Sequence, residues 1–397
     1  MGRIGSLIVA GLAASSCSSV VAASNPVQHT AGHLIARTLA APLNSVVCTS
    51  QENCIGVGTH VTAVTRVRSG LVNAREPDGG FAAITTDRGA LWASTPRLVG
   101  VKGLDALACA TARSCIAVGG NPVSTKYVIV RGVVTRTSDG GHTWKVLPTL
   151  PKRVGQLTSI SCPTAHFCMA VGSQARSPTA VALVTRSTGE QWTSLTLPRY
   201  EAPLALVTCT TPHNCIAEGF SGLISVIVTS DGGATWTQAQ LPAGHYPQGA
   251  VGIPTFAGLV CMSRTNCLLV GGIEAQSGYS GLIMVSADGG KSWSFAVLPP
   301  GAAKMNAISC PTALQCVAVG GDFTRDGHSL ILTTTDGGQN WVAPPAPTIV
   351  TGLEGVSCPT TTTCVATGFR LTTSEPVNGL PVTVVTSDGG VTWKVTP

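Results

Sequence analysis

Fourteen of the fifteen cysteines fall into seven pairs of identical spacing, Cys-x5-Cys. They are Cys48/Cys54, Cys109/Cys115, Cys162/Cys168, Cys209/Cys215, Cys261/Cys267, Cys310/Cys316 and Cys358/Cys364. Cysteine can act as a thiolate nucleophile, a soft metal ligand or half of a disulfide. A zinc site gathers four ligands in one place, usually at shorter spacing, whereas these pairs are spread evenly along the chain. Two residues flanking a five-residue turn between antiparallel strands come face to face at disulfide distance. The spacing therefore reads as seven hairpin disulfides in an oxidising compartment, with free thiols as the alternative. Nothing in the sequence asks for a metal ion or a cofactor.

The carboxylates are the other chemistry-bearing groups. Four residues before each first cysteine stand Asn44, Asp105, Thr158, Ala205, Ala257, Asn306 and Glu354. One residue earlier the series is wholly apolar: Leu43, Leu104, Leu157, Leu204, Phe256, Met305 and Leu353. The apolar series reads as core. Asn44, Asp105, Asn306 and Glu354 then form a polar arc that reads either as a ligand or cation site or as plain solvated lining. Glu218 stands where five other repeats carry Val57, Val118, Val171, Val270 and Val319, and a sixth carries Thr367. A carboxyl in such a place is either a candidate general acid or a group that reaches solvent or a donor at a strand end.

These residues must be positioned by a repeated unit. Each Cys pair is followed by one tryptophan: Trp92, Trp144, Trp192, Trp236, Trp293, Trp341 and Trp393, which are all seven in the chain. The first cysteines recur about every 52 residues, the period of four-stranded blade repeats. In the repeat beginning at Met305, strands are expected at 305–310, 316–320 and 330–335, with a fourth opened by Trp341. A short antiparallel sheet of this kind buries its faces by stacking radially on its neighbours. The expected fold is all-β: a seven-bladed β-propeller of four-stranded antiparallel blades over residues 42–397, closing blade against blade. Residues 1–23 read as a signal peptide, with Arg3, an apolar run from Ile4 to Ala14 and a small-x-small site at Val21-Ala22-Ala23. Residues 24–41 read as a linker that could also add a closing strand. Cys17, inside the signal, offers a lipid-anchored form as the alternative to free secretion.

Before the tryptophan each repeat carries a second motif, as in Ser138-Asp139-Gly140-Gly141-His142-Thr143-Trp144 and Ser387-Asp388-Gly389-Gly390-Val391-Thr392-Trp393. Asp87, Asp231, Asp288 and Asp336 begin its other copies, and Ser187 replaces the acid in the third repeat. The motif resembles the Asp-box, or bacterial neuraminidase repeat, of sialidases, sortilin-like receptors, xyloglucan-active glycosidases and photosystem II assembly factors. The resemblance covers residues 43–397 and implies a propeller fold. It also implies that this turn joins the third and fourth strands at the outer edge. A structural role is expected for all six acids, because an aspartate can accept hydrogen bonds from its own turn.

The same resemblance implies sialidase chemistry only if the catalytic groups are present. They are not in the pattern: there is no Arg-Ile-Pro segment, and none of the four tyrosines (Tyr127, Tyr200, Tyr246, Tyr279) lies in the last two repeats. Arg66, Arg68 and Arg75 share the first long loop, where basic residues are ordinarily solvated. No nucleophile elbow, P-loop or HExxH occurs. Charged residues are 11% of the chain and the net charge of +6 is spread without basic runs, which argues against nucleic acid. No apolar stretch is long enough for a convincing transmembrane segment. The expected function is a secreted, non-catalytic, monomeric binding or scaffold protein for a protein, peptide or glycan ligand. The alternative is a glycoside hydrolase using Asp105 with Glu354, or Glu218 with a loop acid.

Overall fold

A computed structural model describes residues 39, 41–65, 73–96, 98–124, 129–147, 150–198, 202–220, 224–242, 252–275, 278–321, 328–372 and 379–396. The signal region with Cys17, and Arg66, Arg68, Tyr127, Tyr200 and Tyr246, lie outside them. So do most of the linker and the side chain of Arg75.

The chain is a seven-bladed, all-β propeller. Blade 1 runs Leu43–Cys48, Cys54–Thr65, Asn73–Thr85 and Ala93–Ser94, hydrogen-bonded in that order. Its second hairpin has longer arms than expected, so Arg75 lies on a strand rather than a loop. Blades 2 to 7 repeat the order, opening at Ala106, Val154, Leu204, Thr255, Met305 and Gly352. In blade 6 the fourth strand is reduced to a single antiparallel bridge, Thr333 to Val342. The first strands of neighbouring blades touch all the way round, including blade 7 against blade 1, so they line the axis.

Packing explains the repeat. Each tryptophan sits in a core shared with the preceding blade, such as Trp393 with Val317, Val319 and Ile331 of blade 6. At the closure Trp92 packs with Val365 of blade 7 and donates from Nε1 to Thr383 Oγ1 (3.1 Å). Ring closure is thus blade on blade, without a shared strand among the described residues.

All seven Cys-x5-Cys pairs are disulfides, with Cα–Cα separations from 3.9 to 4.2 Å. The two halves of each bridge differ in setting. The second cysteine begins the second strand and is sealed in a blade core: Cys54, Cys115, Cys168, Cys215, Cys267, Cys316 and Cys364 are all at most 2% exposed. Cys115 packs with Ile55 and Ala82 of blade 1, and Cys168 with Ile116 and Val118 of blade 2. Cys316 packs with Leu268 and Val270 of blade 5, and Cys364 with Val317 and Val319 of blade 6. Cys115, Cys168, Cys316 and Cys364 therefore offer no surface to a ligand or an attacking group. Among the residues singled out from the sequence they are structural pins, not members of a site. The free-thiol alternative is removed for all fourteen.

The Asp-Gly-Gly turns hold themselves together. Asp139 Oδ1 accepts from Thr137 Oγ1 (2.7 Å) and Thr143 N (3.0 Å), and Oδ2 accepts from Thr143 Oγ1 (2.6 Å). Asp231 and Asp388 repeat all three bonds, Asp288 with serine donors and Asp336 with Asn340; Asp87 makes the two through Oδ1. The two residues after the acid take left-handed conformations, Gly140 at φ 78° and Gly141 at φ 92°. In blade 3 Ser187 Oγ accepts from Gln191 N (2.9 Å), so a hydroxyl replaces the carboxylate and the turn survives. Gly140 N also donates to Arg113 O (3.1 Å) in the disulfide turn of its own blade. Disulfide turns and Asp turns therefore share one end of the blade.

A further sevenfold feature is the glycine four residues after each second cysteine: Gly58, Gly119, Gly172, Gly219, Gly271, Gly320 and Gly368. A Cβ at any of them would press into the backbone carbonyl six residues before the first cysteine, Gln156 O in the case of Gly172. The missing side chain lets the first strand approach its partner closely just before the bulge described below. Gly172→Ala is expected to cost about 2–3 kcal/mol by overpacking against rigid backbone, read as a lowered denaturation midpoint with an unchanged m-value.

Candidate functional site

The residue four before each first cysteine occupies a special place in the first strand. Pairing skips from Leu43 to Ser45, Leu204 to Leu206, Phe256 to Gly258, Met305 to Ala307 and Leu353 to Gly355. The skipped residues are β-bulges, which re-aim a side chain out of the ladder. This irregularity explains why a polar series stands directly beside the buried apolar one, whose members are at most 9% exposed.

The bulge side chains divide into two groups. Asn44 Nδ2 donates to Leu104 O of blade 2 (2.8 Å) and to Thr59 Oγ1 (3.3 Å). Thr158 Oγ1 donates to Leu204 O of blade 4 (3.0 Å), and Asn306 Nδ2 to Leu353 O of blade 7 (2.9 Å). These three fasten blade 1 to 2, blade 3 to 4 and blade 6 to 7. Asn44 and Asn306, expected as ligand contacts, commit amide N–H groups to that task.

Asp105 and Glu354 do something else. Asp105 accepts a hydrogen bond from Gln156 of blade 3. Burial pushes its carboxyl up to about 6, partly offset by that bond. Glu354 is pushed up to about 7 by burial, partly offset by the positive charge of Lys304 on blade 6. Its Oε1 is buried with no hydrogen-bond partner. Burial pulls the Lys304 ammonium down, opposed by Glu354. Lys304 Nζ also lies over the ring of Tyr279, 5.8 Å from its centre. Tyr279 is 51% exposed on the hairpin between the second and third strands of blade 5. The two carboxyls flank blade 1 but each has its own neighbour, so they are separate groups rather than a bonded pair.

Glu218 matches neither expectation. It is 2% exposed, mid-strand, opposite Val226, which belongs to the core shared by blades 4 and 5. It neither reaches solvent nor finds a donor for Oε2, and burial pushes its carboxyl up to about 8. A group sealed between blades cannot protonate an incoming substrate.

Lys304, Gln156 and Tyr279 escape the sequence reading. The signal for the first two lay one register step further back. Six residues before the first cysteine, only Gln156 and Lys304 carry long polar side chains, against Pro42, Gly103, Pro203, Thr255 and Gly352. Those two positions face the two carboxyls. Tyr279 stands in the third strand of blade 5, near its hairpin end, paired with Glu274.

No protein family matches the chain, and no curated protein does. The fold has many solved counterparts. The WD40 repeats of RRP9 are 9% identical over 89% of this chain and 96% of that one, with a TM-score of 0.54. A protein of unknown function from Dyadobacter fermentans is 11% identical over 87% and 95%, with the same TM-score. YCF48 bound to D1 peptide is 16% identical over 73% and 79%, with a TM-score of 0.49. At such identities the likeness is one of fold. Among the described residues no cluster of His, Cys, Asp or Glu could hold a metal ion, and no helix is long and apolar enough to cross a membrane.

Proposed function

We propose that the chain is an exported, non-catalytic binding propeller of the Asp-box type, which holds a protein, peptide or glycan ligand around Glu354, Lys304 and Tyr279. The carrying observation is the unpartnered, buried Oε1 of Glu354 beside an ammonium group and a half-exposed aromatic face. A buried acceptor without a donor is costly, and a ligand N–H or O–H would complete it. The repeated chemistry elsewhere is consumed by the scaffold: the cysteines in disulfides, the aspartates in their own turns, the tryptophans between blades. The disulfides fit an oxidising compartment. In this reading residues 1–23 are a leader cleaved after Ala23, residues 24–41 are a linker, and the propeller acts as a monomer. Intact mass of the exported protein tests the leader: a chain starting at Ser24 is expected, and a diacylated Cys17 contradicts it.

The competing reading is a glycoside hydrolase. A carboxyl held near 7, like Glu354, is what a general acid requires. It needs a second carboxylate across the same substrate, and the other carboxyl of the series, Asp105, is tied to Gln156.

The test is a printed array of oligosaccharides and peptides probed with wild type and Glu354→Gln. Wild type is expected to bind a defined subset, and the variant to bind it at least about tenfold more weakly with an unaltered melting temperature. Binding that ignores the substitution, or a blank array, contradicts the proposal.

A further inference from the structure

In a sevenfold repeat, shared residues build the scaffold, and departures from the repeat show where one blade has been given a different task. One such departure, away from Glu354, Lys304 and Tyr279, lies at the disulfide-turn end of the blades, between blades 4 and 5. A cavity of about 270 Å³ opens there, beside the disulfide turns. On its blade 5 wall stand Arg264 and Lys291. The other six blades have no charged residue at the position of Arg264 and no Lys or Arg at that of Lys291. On the blade 4 wall stand Thr208 and Thr210, flanking Cys209. Blade 4 is the only one with hydroxyls on both sides of its first cysteine.

The electrostatics favour a negative guest. Neither Arg264 nor Lys291 has an acidic partner among the described residues. The one acid in the lining, Asp288, directs its oxygens to Ser286, Ser292 N and Ser292 Oγ of its own turn. The lining therefore carries two cations against one internally bonded carboxylate. The lining also combines residues with cationic donors on one wall, Arg264 and Lys291, with hydroxyl-bearing Thr208 and Thr210 on the other. A tetrahedral oxyanion presents oxygens to both walls at once, whereas a planar carboxylate offers two oxygens in one plane. Arg264 adds the forked donor geometry that suits such groups.

We propose that this inter-blade cavity is an anion site for the phosphate or sulfate group of a ligand, independent of the site around Glu354, Lys304 and Tyr279. Its walls come from two blades, so an occupant also ties blade 4 to blade 5.

Calorimetric titration with inorganic sulfate and with inorganic phosphate, at ionic strength held constant with chloride, tests the site. Saturable binding of either anion is expected, at least about tenfold weaker in the Arg264→Ala/Lys291→Ala double variant. Both side chains are exposed, so the variant keeps the wild-type melting temperature in chloride. Thr208→Val, on the facing wall, is expected to weaken binding without removing a charge. Sulfate also stabilises proteins generally by exclusion from their surface, and that effect is equal in all variants. Equal behaviour of wild type and double variant, or no saturable heat with either anion, overturns the site.

Discussion

Refolded from denaturant in the presence of a reductant, the chain is expected to remain unfolded at 37 °C, although each broken loop is short. Each disulfide closes a hairpin with a sequence separation of 6, which the chain-entropy account values at about 2 kcal/mol. Seven together match or exceed the net stability of an ordinary domain, about 5–15 kcal/mol. Aromatic residues are only 5% of the chain, and among the described residues the ion pairs are two partly exposed ones, each worth little. Removing a single pair, Cys48→Ser with Cys54→Ser, is expected to cost about 2 kcal/mol and leave the fold intact. Circular dichroism on oxidised, reduced and single-pair variants separates these cases. A reduced chain that melts within a few degrees of the oxidised one would show that blade packing alone suffices.

Glu218→Val is expected to stabilise the protein, against the usual direction of core substitutions. Glu218 titrates at about 8 in the fold and near 4.5 when unfolded. Between those values the folded chain holds a proton that the unfolded chain has released. Stability therefore falls as pH rises through this window. At pH 8 the penalty is on the order of 4 kcal/mol, or about 5 °C in melting temperature for a chain of this length. Valine, the residue of five other blades at this position, removes both the penalty and that part of the pH slope. Glu218→Gln should flatten the slope without the full gain, because its amide would still lack a partner. Asp105 and Glu354 keep a residual slope of the same sign in every variant, since burial raises both. Asp336, held down to about 2 chiefly by its Asn340 bond, works oppositely and withdraws its support only in strong acid. A Glu218→Val protein no more stable at pH 8 than wild type would mean that the carboxyl has a compensating partner.

The periodic part of this molecule was legible in the sequence because the physics behind it repeats. Cys48 to Cys54 spans a hairpin turn, and Asp139 to Trp144 closes another, whatever lies around them. Seven occurrences then leave a ring of blades as the solution. The site was harder to read because it depends on departures from the period and on contacts between blades. Glu354 was visible as one member of a polar arc with Asn44, Asp105 and Asn306. Its relation to Lys304 crosses from blade 7 to blade 6, and no local spacing announces it. Asn44 and Asn306 looked like ligand contacts because the bulge that turns them toward the next blade's carbonyls cannot be seen in an alternation pattern. Glu218 misled for the opposite reason. An acid in a valine series suggests chemistry, whereas the fold buries it where only a proton can reach.

The proposed site around Glu354, Lys304 and Tyr279 binds its ligand without turning it over. The most direct measurement is mass analysis of an oligosaccharide or peptide selected on the array, after prolonged incubation with a stoichiometric amount of the protein at pH 6–7, a range that includes the value near 7 at which Glu354 titrates. The account predicts full recovery of the intact ligand, bound by wild type and released by Glu354→Gln. A shortened product carrying one added water, formed by wild type and absent with Glu354→Gln, would make Glu354 a general acid and the protein a hydrolase.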